Sequence, residues 1–200
     1  MTIYVVRHAE TALNATRVVQ PPGTPLSERG KRQAALLSAR LAEIAIDRIV
    51  SSDLPRAVAT AREIHHRSGA PLTLDPDLQE RNFGAIRGTP YAELGEDIFG
   101  PSYVPPLGES WSAFHARVDD VWGRLSRAAP PGPGALVVVT HGLVCWSIVS
   151  RHVVPTEVAY TMRFGNTSVT RLEGPAPWRA AFIDCTAHLD ASTRGDGARA

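Results

Sequence analysis

Three short apolar runs break off at polar residues of the same kind, and this pattern constrains the fold more than anything else in the chain. Ile3-Tyr4-Val5-Val6 runs into Arg7-His8, Arg48-Ile49-Val50-Ser51 into Ser52-Asp53-Leu54-Pro55-Arg56, and Leu136-Val137-Val138-Val139 into Thr140-His141-Gly142. Runs of β-branched and aromatic residues this short suit buried strands rather than helices. In open α/β sheets the crevice outside the carboxyl ends of the strands is where ligands bind. Three such ends, bringing Arg7, Arg56, His8 and His141 to one rim, predict an anion site with a histidine able to react.

Helical periodicity fills the intervals. Ser27 is placed to cap a helix over 28–43 whose Ala34, Leu37, Leu41 and Ile44 share one face. Pro55 suits the first turn of a helix reaching about Arg67. A short strand at 71–74 leads to an irregular loop over 75–88 carrying Glu80-Arg81-Asn82-Phe83-Gly84. A helix over 109–128 shows Phe114, Val118, Val121 and Leu125 as its buried stripe. Another starts at Gly142, and strands are expected at 168–172 and 179–184. Residues 12–25 read as loop. The alternation predicts an α/β fold, a three-layer α/β/α sandwich with a mostly parallel central sheet. Residues 1–185 are expected to form a single domain. An insertion over the active site falls at about 85–125, its Pro- and Gly-rich part (99–108) expected as a lid. Residues 186–200 are expected as a disordered tail.

A chain of 200 residues, 44% hydrophobic, suits one soluble domain. A net charge of +1 gives no reason to expect a nucleic acid or a membrane surface as partner, so attraction for anions must be local. Lys31 is the only lysine, and biased composition accounts for most of the arginines, which leaves weight only on those at strand ends. Cys145 and Cys185 have neither metal-ligand spacing nor a disulfide framework and read as buried hydrophobes. The apolar start is too short for a signal peptide, and no run reaches membrane-spanning length, so a cytoplasmic location is expected. Monomer and homodimer both stay open.

Cleaving a phosphate monoester without a metal requires three things. Charge on the phosphoryl oxygens must be stabilised, a nucleophile must attack phosphorus, and an acid must protonate the leaving oxygen. Arg7 and Arg56 offer guanidinium forks, His8 a neutral imidazole, His141 a donor before a helix N-terminus, and Glu80 a candidate acid. Each alone has a plainer use: a histidine at a strand end is commonly a hydrogen-bonded structural residue, Arg56 a solvated helix residue, Glu80-Arg81 a surface ion pair. Equivalent placement of three motifs at βα junctions is what favours the chemical reading. His65 and His66 fall late in a helix, His152 at an element end and His188 in the tail. No paired carboxylates or His-x-His spacing accompany His8 and His141, so no metal or other cofactor is expected.

With these residues in place, the chain resembles the histidine phosphatase superfamily, the phosphoglycerate-mutase-like proteins. Arg7-His8-Ala9-Glu10-Thr11 with Asn14 is similar to the signature of that family. Ser51-Ser52-Asp53-Leu54-Pro55-Arg56-Ala57, Leu78-Gln79-Glu80-Arg81-Asn82-Phe83-Gly84 and Val139-Thr140-His141-Gly142 are similar to its other motifs, in its order, over about 2–185. The resemblance implies that His8 is the phosphorylated nucleophile. It also implies that Arg7, Arg56 and His141 complete the phosphate pocket, that Asn14 adds a phosphate or substrate contact, and that Glu80 is the proton donor and later the base that activates water. The family works without a metal. Ala9 replaces the usual Gly, and Pro21 follows Gln20 where Gly is common, implying another loop path.

Mutases of the family carry a longer insertion with a lysine and adjacent arginines, whereas residues 85–120 hold no lysine and only Arg87 and Arg117. Gly108-Glu109-Ser110 resembles the family's phosphatases, including α-ribazole-phosphate phosphatases and broad-specificity enzymes. The reading is therefore a metal-independent phosphomonoesterase acting on a small phosphorylated metabolite through a phosphohistidine. Phosphoglycerate-mutase-type transfer and a non-catalytic phosphate-binding module are the alternatives. Tyr103, Trp111 and His115 are expected to shape specificity.

Overall fold

A computed structural model describes residues 1–128, 132–154, 163–190 and 193. Six strands form one sheet: β1 (Thr2–Arg7), β2 (Ile46–Ser51), β3 (Leu72–Leu74), β4 (Ala135–Thr140), β5 (Val169–Glu173) and β6 (Arg179–Cys185). Their spatial order is β3-β2-β4-β1-β5-β6. The first four are parallel, while β5 runs antiparallel to β1 and β6 antiparallel to β5. The expected mostly parallel sheet is thus joined at one edge by an antiparallel pair, which a short connection can supply without a crossover helix.

Alternation along the strands sorts the core into two layers. Ile3 and Val5, with Leu136 and Val138, pack with Phe114, Val118, Val121 and Ile148. Tyr4 and Val6, with Val137 and Val139, pack with Leu37, Leu41, Ala57 and Ile64 on the other face. The first layer is roofed by α4 (Trp111–Arg127) and α5 (Gly142–His152), the second by α2 (Glu28–Leu41) and α3 (Pro55–Ser68). Burying each such Val, Leu or Ile contributes about 1.5–3 kcal/mol. Because the period is two, slipping a strand by one residue would exchange the side chains that fill the two core layers and spoil the packing of both. The expected caps are present: Ser27 Oγ accepts the Gly30 N–H, and Pro55 opens α3. One helix was not foreseen. A single turn, α1 (Ala12–Ala15), follows β1, with Thr11 as its N-cap and Asn14 closing a capping box.

Between β3 and α4 the chain makes 3-10 turns at Pro76–Leu78, Gly84–Ile86 and Tyr91–Glu93. Two arginines hold this region. Arg81, 2% exposed, donates to the carbonyls of Glu109 (3.0 Å), Ile98 (3.3 Å) and Tyr103 (2.7 Å), with its guanidinium carbon 3.9 Å from the Trp111 ring centre. Arg117 grips the Glu109 carboxylate and donates to the carbonyls of Asp77 (2.7 Å) and Gln79 (2.9 Å). The expected insertion at 85–125 takes in α4, which belongs to the sandwich. Residues 99–108 are pinned through Gly100, Tyr103 and Pro106, whose carbonyls accept from Trp111 Nε1, Arg81 and the Ala85 N–H.

Two further expectations differ from the structure. Cys145 is buried, but Cys185 is half-buried and its Sγ accepts from Arg40 at 3.2 Å. The segment expected as a disordered tail is partly docked. His188 lies between Arg40 (3.1 Å) and Thr167 (3.0 Å), Leu189 is 3% exposed, and the Thr193 carbonyl accepts from Gln33 at 2.7 Å. Residues 191–192 and 194–200 lie outside the described residues.

Gly84 adopts φ +51°, and a Cβ there would meet Pro106 O at 2.0 Å and Gly108 N at 2.6 Å. Both are backbone atoms that cannot swing aside. A left-handed conformation costs a side chain about 1–2 kcal/mol and overpacking about 1–3 kcal/mol more. Gly84→Ala should therefore lower the urea-unfolding free energy by about 2–5 kcal/mol. A loss under about 0.5 kcal/mol would contradict this account of the turn.

Candidate active site

Register, rather than loop design, brings the site together. Arg7 lies opposite Thr140 in the β1–β4 ladder, and Ser51 opposite Val139 in the β2–β4 ladder. The residues one step beyond each strand therefore emerge level with one another. The His8 N–H donates to Thr140 O (2.8 Å) and the Ser52 N–H to Val139 O (2.9 Å), extending the ladders to the rim. His8 and His141 end up with ring centres 5.1 Å apart.

His8 is 2% exposed, and its ring is fixed from both sides. Nδ1 lies 2.7 Å from the Ala9 carbonyl, an acceptor, so Nδ1 bears the proton and Nε2 the lone pair. Arg56 Nε donates to that Nε2 at 3.3 Å. Burial first, then the charges of Arg56 and Arg7, hold the His8 pKa well below the ordinary 6.5. The two arginines contribute, but desolvation is the larger cause.

His141 is fully buried and caps α5. Its Nε2 lies 2.8 Å from Ser52 Oγ, which already accepts the Leu54 N–H at 3.3 Å. When the hydroxyl hydrogen is given to His141 Nε2, the ring proton is on Nδ1. That Nδ1 and Arg7 Nε are both buried without a partner among the described residues. Orphaned buried polar groups of this kind each cost about 1–3 kcal/mol. Arg7 spends one N–H on the Phe164 carbonyl. Arg56, second residue of α3, reaches the Pro22 carbonyl at 3.5 Å, and burial pushes its pKa down to about 10.

Asn14 is buried on α1, with Oδ1 accepting the Thr11 N–H (3.1 Å) and an Asn166 N–H (3.3 Å), so its own amide hydrogens remain for a ligand. Glu80 accepts the Arg81 N–H at 3.1 Å and, from the first turn of α5, the Leu143 N–H at 3.3 Å. Both bonds favour the carboxylate, yet burial outweighs them and raises the Glu80 pKa above its ordinary 4.5.

The structure thus brings together all six residues singled out from sequence. Arg7, His8, Asn14, Arg56 and Glu80 line one cleft with about 750 Å³ of atom-free space, open to solvent. His141 lies just behind it, against His8. Several neighbours were missed. Phe83, Tyr91 and Phe99 meet edge to face and, with Leu143 and Phe164, form an apolar wall. Asn166, which donates to the His8 carbonyl at 3.2 Å, follows no motif that could have marked it. Ser52 stood within a quoted motif without a role. The expected specificity residues lie elsewhere: Trp111 stacks on His115, His115 Nδ1 lies 2.8 Å from Ser147 Oγ, and neither they nor Tyr103 border the cleft. Among the described residues no three His, Cys, Asp or Glu side chains group so as to hold a metal ion. No helix among them is long and apolar enough to cross a membrane.

Comparison with known proteins agrees with this geometry. A family model described as the histidine phosphatase superfamily (branch 1) matches residues 3–176. A Cronobacter sakazakii protein named "Probable phosphoglycerate mutase GpmB" is 32% identical over 210 residues, covering 96% of each chain. Among solved structures, a mycobacterial glucosyl-3-phosphoglycerate phosphatase in complex with VO3 matches with a TM-score of 0.80 at 26% identity, over 92% of this chain and 99% of that one. A phosphoglycerate mutase from Bacillus anthracis matches at 0.76 and 25% identity, over 94% of each.

Proposed function

This chain belongs to the histidine phosphatase superfamily, and on that footing we propose that it is a metal-independent phosphomonoesterase acting on a small phosphorylated metabolite. The observation that carries the reading is a buried imidazole whose Nδ1 is held by the Ala9 carbonyl and whose Nε2 meets an Arg56 donor, in a cleft that Arg7 also lines. The phosphoryl oxygens take the N–H groups of Arg7, Arg56, His141 and Asn14, the Arg56 Nε–H passing from His8 to the substrate. His8 Nε2 attacks phosphorus, and the bond to the ester oxygen breaks. The departing alkoxide takes the proton of Glu80. Water then gives a proton back to Glu80 as its oxygen attacks the phosphohistidine, releasing inorganic phosphate and restoring His8.

The protonation states make this sequence workable. The reacting form needs His8 neutral and Glu80 protonated. At ordinary values of 6.5 and 4.5 those two conditions barely coincide at any pH. Lowering the first and raising the second brings the two conditions toward a common pH range. His8 is usable from below the ordinary imidazole value upward, and Glu80 is usable up to above the ordinary carboxyl value.

The second reading, phosphoryl transfer of the mutase type, is favoured by the name of the C. sakazakii relative. Charge weighs against it. A bisphosphorylated species needs additional cations, and of the two arginines in 85–120 Arg117 is committed to Glu109 and two carbonyls, which leaves Arg87. A non-catalytic module would need neither the oriented His8 nor a Glu80 whose pKa burial has raised.

Purified protein should release inorganic phosphate from alkyl and aryl phosphomonoesters at least about tenfold faster than it transfers phosphate to 3-phosphoglycerate, one decade being about 1.4 kcal/mol in the barrier. Faster transfer would make it a mutase, and phosphate binding without turnover at pH 5–8 would make it the module. Glu80→Gln should slow phosphorylation by an alkyl phosphate about 10²–10⁴-fold and by p-nitrophenyl phosphate far less, since only the poor leaving group needs its proton. Single-turnover kinetics read both rates. The alkaline limb of the wild-type alkyl profile should lie above pH 4.5 and vanish in the variant; equal losses on both esters would reduce Glu80 to a structural role.

A further inference from the structure

Arg87 is the cation of the cleft that nothing in the proposed phosphoryl transfer uses. It follows the Gly84–Ile86 turn, is half-buried, and borders the same cleft as His8. Its charge is felt at Arg56, whose pKa it helps to lower. Every other arginine lining the cleft is committed: Arg7 to the Phe164 carbonyl, Arg56 to His8, Arg81 to three carbonyls. The Arg87 guanidinium has no ion pair and no side-chain hydrogen bond among the described residues. Its backbone is fixed all the same. Gly88 donates to the Val19 carbonyl at 2.7 Å, and the Val19 N–H to Thr89 O at 3.0 Å, so the segment is stitched to the loop after α1.

The wall shared with Arg87 is apolar. Phe83, Tyr91 and Phe99 present ring edges and faces at centre distances of 5.9–6.1 Å. These rings, Arg87 and His8 line one cleft, so a substrate with its phosphate at His8 can lay an apolar or ring body against the rings within the space that Arg87 also borders.

We propose that Arg87 selects phosphomonoesters whose organic part carries a carboxylate, held by its guanidinium across the aromatic wall from the phosphoryl site. A single uncommitted guanidinium matches one negative charge and the two-oxygen geometry of a carboxylate. A second phosphate, carrying nearly two charges, would need more. The inference rests on the phosphomonoesterase reading and adds the substrate class to it. Arg87 acts here on binding, through KM, rather than on the chemical step.

The test is a matched pair, 4-carboxyphenyl phosphate against 4-carbamoylphenyl phosphate, which differ in charge but hardly in size. Wild-type kcat/KM should favour the carboxylate by about tenfold, as one charge-assisted hydrogen bond supplies, mostly through KM. In Arg87→Gln the carboxylated ester should lose that decade while the amide loses about twofold or less, and Arg87→Lys should keep part of the preference. Equal kcat/KM for the two esters, or a preference that survives Arg87→Gln, would overturn the inference while leaving the phosphatase reading intact. If neither ester is hydrolysed, that reading fails instead. Calorimetric Kd values for the pair then decide the role of Arg87 by the same ratio and the same criteria.

Discussion

The structure depends on one constraint: two guanidinium groups and two imidazoles are kept out of water at a single rim. The hydrogen-bonded register of β1, β4 and β2 imposes it, because Arg7 pairs with Thr140 and Ser51 with Val139, so whatever follows each strand converges. Slipping one strand by a residue would invert its apolar set as well as scatter the site, so the same free energy that builds the core fixes the active-site geometry. Backbone carbonyls and a ring nitrogen accept only some of the N–H groups of the buried cations: Arg7 gives one to Phe164, and Arg56 gives one to His8 and one to Pro22. What is left over, at Arg7 Nε and His141 Nδ1, is donor capacity suited to an oxyanion.

Desolvation then sets the chemistry. It lowers His8 and His141 and raises Glu80, and in each case it is the largest cause, ahead of any single neighbouring charge. A histidine biased toward its neutral form and a carboxyl biased toward its protonated form arise from burial acting on groups of opposite charge type. Support for that environment comes from residues with no chemical role. Arg81 and Arg117 hold the loop on either side of Glu80, and Gln33 ties Glu10, two residues past His8, to the docked end of the chain.

The sandwich and the convergence of the arginines and histidines at one rim were legible in the sequence for a physical reason. Strand periodicity and junction residues are local signals, and the site lies where they meet: Val6 to His8, Val139 to His141, Pro55 to Arg56. The cleft wall was not legible. Residues 79–99 take their shape from long-range bonds made by a buried Arg81, which from sequence reads as half of a surface ion pair. Trp111 and His115 were mistaken for substrate contacts because an aromatic at helical spacing looks alike whether it faces a core or a cleft; here it is α4 packing. The four-residue α1 is too short to show a period, and it depends on the Thr11–Asn14 capping box. The docked stretch 186–190 looks like solvent-exposed chain until Arg40 and Thr167 are seen to hold His188.

The central claim is that the imidazole of residue 8 carries the phosphoryl group. Rapid quenching into base during turnover of p-nitrophenyl phosphate, followed by peptide mass spectrometry and ³¹P NMR, tests it directly. The account predicts a base-stable, acid-labile phosphoryl group on Nε2 of His8, formed and discharged at rates that match turnover. Steady hydrolysis with no phosphorylated histidine, or with the label on another side chain, would contradict it.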